Sequence, residues 1–346
     1  MVDSVPLVTI GTRDDELFRV VGAVRQNDGT IVVANAGNVE LRFYDRSGTF
    51  LRAVGGRGQG PGEFMSMTSI HRLASDSILV HDWQQAKASV FAADGEYTRS
   101  FSLEIPGNGL PQLIGVLQTG HMVAVVRPFE PSAERSGLIR IPSLYLIYSQ
   151  TGEITATIGE LPDQELFIGQ PQEPRSYEAP PFGRWAATVA VGDRFVYGDA
   201  TTHEYRVYSP EGALLQIVRR QVSPRMVTSD DIARHKAERL RNIVDQSRRA
   251  AVERELAEAV YPEQMPAYTS FEADTEGRVW IQPFAAQVAA TAEWSIFDPD
   301  GAWLGQVELP SSLSIFEIGA DYILGRWRDP DGVEQVRVYR LARDGS

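Results

Sequence analysis

An aromatic residue followed four positions later by the glycine of a tight turn recurs along this chain, at Tyr44/Gly48, Phe91/Gly95, Tyr148/Gly152, Tyr208/Gly212 and Phe297/Gly301, with a looser copy at Tyr339/Gly345. Successive glycines lie 47, 57, 60, 89 and 44 residues apart. Such a period marks an internal repeat, in which each unit completes its core against its neighbours. The shortest spacing is about one propeller blade, and the longer ones leave room for insertions.

Each unit reads as four short strands. The first runs Val20 to Arg25, the turn Asn27-Asp28-Gly29, Ile31 to Ala34, Val39 to Tyr44, the turn Asp45 to Gly48, then Phe50 to Val54. Apolar and β-branched runs bounded by Asp-Gly and Ser-Gly are hairpin signals, and two hairpins in series make a blade. Further blades are expected over Met67 to Leu103, Gln112 to Ile158, Ala186 to Arg219 and Thr269 to Leu309. The sixth repeat supplies only Leu313 to Ile318, Tyr322 to Trp327 and Val333 to Leu341. The apolar run Val5 to Ile10 is the missing strand, and placing it beside the last three closes the ring and removes open edges. The expectation is an all-β, single-domain, six-bladed β-propeller of four-stranded antiparallel blades over residues 1–346, with one helical insertion at about 225–262 between blades 4 and 5.

In such a meander, the first-to-second and third-to-fourth loops share one face of the disc. The remaining loops share the other. Tight turns occupy the first set throughout, whereas the long insertions, Arg127 to Arg140, Glu160 to Arg184, Ser223 to Pro266 and Phe284 to Ala292, all fall in the second. Loops held on a rigid scaffold carry function, so the elaborated face is the expected working face. The largest insertion is expected to hold one helix, capped by Thr228 or Ser229 and running to about Val260 before Pro262. Its stripe Ala233, Leu240, Ile243, Val244, Ser247 and Ala251 would pack on the propeller as a lid or brace.

A net charge of −13 opposes nucleic-acid backbones and anionic membrane surfaces as partners. The absence of cysteine excludes disulfides, zinc–thiolate sites and a cysteine nucleophile. No run approaches the ~18 apolar residues of a membrane span, so no membrane insertion is expected. Met1 to Ile10 lacks the basic and apolar regions of a signal peptide, which leaves a cytoplasmic protein or an exported one whose signal is not in this sequence. Closure within one chain predicts a monomer.

The string Gly55-Gly-Arg-Gly-Gln-Gly-Pro-Gly-Glu-Phe64 lacks the Lys-Ser/Thr and following helix of a phosphate loop. It reads instead as a blade-to-blade crossing in which glycines permit positive φ and Phe64 plugs between sheets. It is similar to the closing loop of NHL-type propellers. Together with Tyr261-Pro-Glu-Gln-Met-Pro-Ala-Tyr268, Glu276-Gly-Arg-Val-Trp280, Phe297-Asp-Pro-Asp-Gly301 and Gly319-Ala-Asp-Tyr-Ile-Leu-Gly325, it resembles the NHL-like bacterial six-bladed β-propeller family over almost the whole chain. The resemblance implies the fold, and because members often carry an export or lipoprotein signal, it implies the periplasm or cell surface. Related propellers include calcium-dependent lactonases and a zinc-dependent lyase with histidines in register around the axis. Here His71, His81, His121, His203 and His235 are out of register, against a zinc site of that kind.

A polar and aromatic cluster is expected where strands end on the elaborated face. Trp83, Arg127, Arg184, Trp185, Gln282, Arg326 and Trp327 are the candidate ligand-binding residues, because a concave mouth lined by aromatics with a few polar groups suits a small molecule, glycan or protein. His81, Asp82, Asp199 and His203 are the candidate catalytic residues or metal ligands, since neutral imidazole and carboxylate serve both roles. No Gly-x-Ser-x-Gly elbow or His-Glu-x-x-His helix is present. Two readings follow. The first is a non-catalytic binding propeller without a cofactor; the alternative is a hydrolase or lyase, lactonase- or esterase-like, with its site in the central mouth and a divalent calcium or zinc ion.

Overall fold

The repeat has a local physical cause. In blades 1, 3, 4 and 5 the residue after the aromatic is Asp45, Ser149, Ser209 or Asp298, and its side-chain oxygen accepts the backbone N–H groups two and four positions on; blade 2 has Ala92 there instead. Asp45 Oδ1 takes those of Ser47 and Thr49 at 2.9 Å, and Asp298 Oδ1 takes those of Asp300 and Ala302 at 3.0 and 2.8 Å. Ser149 and Ser209 do the same with their hydroxyls. The glycine then turns through a left-handed φ of +88° at Gly48 and +83° at Gly301, which a side chain resists. Each preceding aromatic is buried.

The computed structural model describes residues 2–3, 5–11, 15–129, 136–169, 177–287, 289–329 and 331–342. Gly345, in the loosest repeat, lies outside them. Blade 1 comprises Val20–Arg25, Ile31–Asn35, Glu40–Tyr44 and Phe50–Gly55. Blade 2 comprises Met67–Arg72, Ile78–Asp82, Lys87–Phe91 and Tyr97–Ser102. Blade 3 has Pro111–Val116, Met122–Val126, Gly137–Tyr148 and Ile154–Ile168, plus a short fifth strand, Tyr177–Glu178. Blades 4 and 5 are Ala187–Val191, Arg194–Gly198, Glu204–Tyr208, Leu214–Arg219 and Tyr268–Ala273, Val279–Pro283, Thr291–Phe297, Trp303–Pro310. Blade 6 is Leu313–Ile318, Tyr322–Arg328 and Glu334–Arg340, completed by Val8–Ile10 as its outermost strand. Val8 faces Val338 and Ile10 faces Val336, so the ring closes as the missing strand required. Val5 and Leu7, expected within that strand, precede it and are exposed.

Most of the core lies between blades. Phe64 is fully buried with Phe43, Ile70, Val80 and Phe91 of blades 1 and 2, and its N–H donates to the Gly56 carbonyl at 2.9 Å. It is the plug the glycine string implied.

Two insertions differ from expectation. The outer parts of 127–140 and 160–184 are not loops, because strands 3 and 4 of blade 3 continue beyond the blade in one ribbon, with Gly137 opposite Ile168 and Arg140 opposite Glu165. The ribbon holds together because Ile141, Leu166 and Ile168, with Ile139 and Tyr177, bury a small core of their own. Residues 130–135 and 170–176 of these insertions lie outside the described residues, as does Val288.

The long helix is two helices, α1 (Ser229–Leu240) and α2 (Gln246–Glu258). Thr228 and Asp231 form a capping box on α1, and Asp245 caps α2 by accepting the Arg248 N–H at 2.7 Å. A cap inside the run ends one helix and starts another. The break also changes which face is covered: Ala233, Val244, Ser247 and Ala251 of the expected stripe are exposed, whereas Ile232, His235, Val252 and Leu256 are sheltered. No helix among the described residues is long and apolar enough to cross a membrane.

Candidate functional site

The elaborated face carries a built polar platform between blades 3 and 4. Arg127 follows the second strand of blade 3, and Trp185 precedes the innermost strand of blade 4, so both flank the axis. The Arg127 guanidinium is held by Asp163, Nε to Oδ2 at 2.6 Å, and by Gln112 at 2.7 Å. Asp163 is fully buried and also accepts the Ser143 hydroxyl at 2.8 Å. Next to it, buried Glu165 accepts both the side chain and the backbone N–H of Arg184, at 2.5 and 3.1 Å. Backbone hydrogen bonds from Glu165 to Arg184 and from Ala186 to Asp163 pin the segment carrying Trp185 against the ribbon. The Trp185 ring lies 5.9 Å from the Arg127 guanidinium carbon and remains 44% exposed. The result is an exposed aromatic face beside a fixed, partly open cation.

Three expected residues, Arg127, Arg184 and Trp185, therefore meet on one rim. Asp199 lies at the edge of the same region, where its carbonyl accepts Arg140 Nη2 at 2.9 Å and its carboxylate accepts the Thr201 N–H in a turn. Their partners Asp163, Glu165, Ser143 and Arg140 were not singled out from sequence. Asp163 and Glu165 sit in what reads as a loop, and Leu161-Pro-Asp-Gln-Glu-Leu-Phe167 shows no strand alternation that would have set them apart.

The other expected residues lie elsewhere. His81 is buried between blades, with Nδ1 2.9 Å from the Thr68 hydroxyl and Nε2 without a partner. Burial, helped by neighbouring His71, lowers its pKa to about 4. Asp82, next on the strand, points to the opposite face. Its oxygens accept from the backbone N–H groups of Met65, Ser66 and Gln85 and from the Gln85 amide. Burial opposes ionisation there, yet those donors hold the carboxyl below the usual carboxylate range. Trp83, one residue on, is partly exposed in the blade 2 loop. Gln282 accepts the Ser270 hydroxyl at 3.0 Å, Arg326 binds the Val20 carbonyl at 2.7 Å, and Trp327 stacks 3.6 Å from the Arg337 guanidinium. The first and last of these contacts lie within blades 5 and 6, and that of Arg326 ties blade 6 to blade 1. His203 sits on blade 4, two blades from His81 and Asp82, and burial together with Arg220 holds its pKa below the ordinary value. Among the described residues, no three of His, Asp and Glu are grouped so as to hold a metal ion.

The helical insertion is fastened beside the platform by an aromatic clasp. Phe182, from the blade 3 to blade 4 crossing, meets His235 of α1 at 5.3 Å, Tyr261 at 5.8 Å and Phe284 of blade 5 at 6.1 Å between ring centres.

One titratable group sequence reasoning passed over lies in an inner strand. Glu272 of blade 5 stands opposite Trp280, at the inter-blade register that Val24 and Val189 occupy in blades 1 and 4. Its carboxyl makes no hydrogen bond among the described residues, and burial pushes its pKa up to about 8.

The model of a family described as a 6-bladed beta-propeller, DUF5128, matches residues 1–109. No curated protein matches the sequence. Among solved structures, a member of the DUF4221 family from Bacteroides vulgatus superposes with a TM-score of 0.57 at 12% identity, covering 99% of this chain and 97% of that one. A Bacteroides fragilis protein provisionally described as exported gives 0.53 at 13% identity, covering 99% and 95%. At such identities the likeness speaks to architecture alone. The chain is a six-bladed β-propeller similar to bacterial propeller proteins of that architecture.

Proposed function

We propose that the protein is a non-catalytic recognition propeller whose elaborated face binds a small molecule or glycan on the platform of Trp185 and Arg127. The observation that carries this reading is the contrast between what is exposed and what is satisfied. Trp185 is left open beside a guanidinium whose orientation is fixed from beneath by a buried carboxylate. Acid–base groups such as Asp82 are buried and consumed by hydrogen bonds. A fixed cation beside an aromatic plane suits a planar or pyranose ring bearing a carboxylate, by stacking and by a charge-assisted contact. The enzymatic alternative has less support, since His81, Asp82 and His203 are divided between blades. Export to the periplasm or cell surface belongs to the same proposal and rests on the family resemblance.

The test is isothermal calorimetry with glucuronate and galacturonate, against glucose and galactose as neutral controls. Binding of the acidic sugars that falls about tenfold or more in W185A supports the platform. Equal affinity in W185A and wild type, or hydrolysis of a lactone or ester substrate that survives W185A, would refute it.

A further inference from the structure

The axis of the propeller is lined by a free strand edge repeated in every blade. The innermost strand ends each sheet, so it pairs outward only and turns unpaired backbone carbonyls and N–H groups towards the centre. Residues well inside these strands are not buried, among them Val21, Ser69, Ile114, Val189, Ser270 and Phe316, one from each blade. A packed axis would bury them, so the centre is an open channel.

One level of this channel carries its titratable groups. In blades 2, 5 and 6 the second-strand residue after the partner of the repeat aromatic stands opposite His71, Glu272 and Glu317, so these three share one depth along the axis. By the same count the remaining blades place Val24, Gly115 and Val189 there. Glu317 is furnished with donors: the Tyr322 hydroxyl donates at 2.6 Å, the Arg25 backbone N–H at 2.9 Å, and Arg72 Nη2 at 3.5 Å. His71, on the blade opposite blade 5, is hydrogen-bonded through Nε2 to the Ser69 hydroxyl at 3.0 Å. Glu272 sits at the same depth on the blade beside Glu317 and has no partner among the described residues.

Glu272 keeps part of its surface open, yet burial pushes its pKa up to about 8; His71, equally part-open, is lowered to about 4. A side chain is open and poorly hydrated at once where it faces an enclosed channel rather than bulk water. Burial alone shifts Glu272. Of the charges around it, Glu317 and Arg72 hold each other, Arg25 lies on the Tyr322 ring at 4.4 Å, Arg278 reaches Asp274 in the turn of its own blade, and His71 is neutral.

A bare carboxyl among strand carbonyls offers acceptors and one latent negative charge. Divalent ions ask for more carboxylates than this, and among the described residues no three of His, Asp and Glu are grouped. An ammonium group carries three N–H donors and no acceptor, which matches one carboxylate and backbone carbonyls. The net charge of −13 draws cations to the molecule. We infer that the axial channel binds the ammonium group of a small primary amine, with Glu272 as its counter-ion and inner-strand carbonyls as its further acceptors. The carboxyl proton leaves to solvent as the amine enters, because proton and ammonium compete for the same oxygens. The site is separate from the Trp185 platform and stands or falls without it.

Propylammonium is the probe, titrated into the full chain by calorimetry at constant ionic strength, with tetramethylammonium and propan-1-ol as controls. At pH 9 a Kd of about 1–10 mM is expected, in the range of a ligand of so few atoms. Affinity should fall about tenfold for each pH unit below 8, and at pH 7.5 about 0.8 proton should be released per amine bound, read as the difference in heat between phosphate and HEPES buffers. Tetramethylammonium, which has no N–H, and propan-1-ol, which has no charge, should bind at least about tenfold more weakly. E272Q should abolish binding, and W185A should leave it unchanged. The proton count and pH profile of the wild type decide the matter even if E272Q fails to fold. Affinity independent of pH, no proton released, tetramethylammonium as good as propylammonium, full affinity in a folded E272Q, or no binding at ~50 mM would each overturn the inference.

Discussion

Replacing the two members of the Arg127–Asp163 pair should have unequal effects. Asp163 is fully buried, whereas the Arg127 side chain keeps 34% of its surface open. R127M preserves the aliphatic stem and removes the charge, leaving a buried carboxylate with the Ser143 hydroxyl as its remaining side-chain donor. Stranding a buried charge costs about 3–5 kcal/mol. D163N leaves the opposite partner, a guanidinium that water already reaches and that Gln112 still accepts from, so screening lowers the penalty to about 1–2 kcal/mol. In the double variant no charge remains to be stranded, and its cost should be smaller than that of R127M alone. The assay is urea unfolding of the four proteins at one pH. For slopes of about 3 kcal/mol per molar, R127M should lower the midpoint by about 1 M and D163N by less than half as much. If D163N is as damaging as R127M, or the double variant shows the sum of the two losses, Asp163 is not acting as a desolvated counter-charge and the platform is not braced as described.

F64A should be among the most destabilising single changes, about 3–5 kcal/mol by urea unfolding, because the ring is fully enclosed between blades 1 and 2; a stability loss below ~1 kcal/mol would show that the crossing does not depend on its plug. Glu272 holds its proton up to about pH 8 when folded and loses it near 4.3 when unfolded, so its contribution falls as pH rises through that window; E272Q should flatten the alkaline decline in urea midpoint between pH 5 and 8, and an unchanged slope would remove Glu272 as its cause. His71 and His81 are lowered to about 4 by burial, so the unfolded chain takes up their protons first and stability should fall as pH drops from about 6.5 towards 4; H71Q should reduce the proton uptake on unfolding at pH 5 by about one, read from the pH dependence of the midpoint.

What was legible in the sequence was what is local. In the turns of blades 1, 3, 4 and 5 the aromatic, the capping Asp or Ser and the glycine lie within five residues and are held by hydrogen bonds of that reach, and in blade 2, where Ala92 follows Phe91, Asp94 accepts the Glu96 N–H instead. Ring closure was legible for a related reason, as three strands at one end and an unpaired apolar run at the other leave one pairing. The blade 3 ribbon was not, since Arg140 and Pro142 interrupt its apolar alternation and make it resemble a loop. The helix break was missed because Asp245 in a charged run looks like a solvent-facing acid until it is seen capping. At the site, Arg127 and Trp185 were found from their places at strand ends, whereas Asp163 is 36 residues from Arg127 and no spacing links them. Adjacent His81 and Asp82 invited a joint role, but neighbours on a strand face opposite ways.

The distribution of satisfied and unsatisfied groups separates scaffold from surface. Asp163, Glu165 and Asp231 are buried acids, each paired with at least one arginine, and each fastens an insertion to its base: the ribbon, the Trp185 segment and α1. Cations are the minority charge in this chain, and pairing consumes many of them. A cation left unpaired where apolar surface converges therefore marks a place where the fold gains little and an anion would gain more. Arg127 beside Trp185 meets that condition in part, since its buried counter-charge fixes its direction while its outer face stays open. It lies on the face that carries every long insertion, and it does not fall among the histidines and carboxylates whose adjacency in sequence first suggested chemistry.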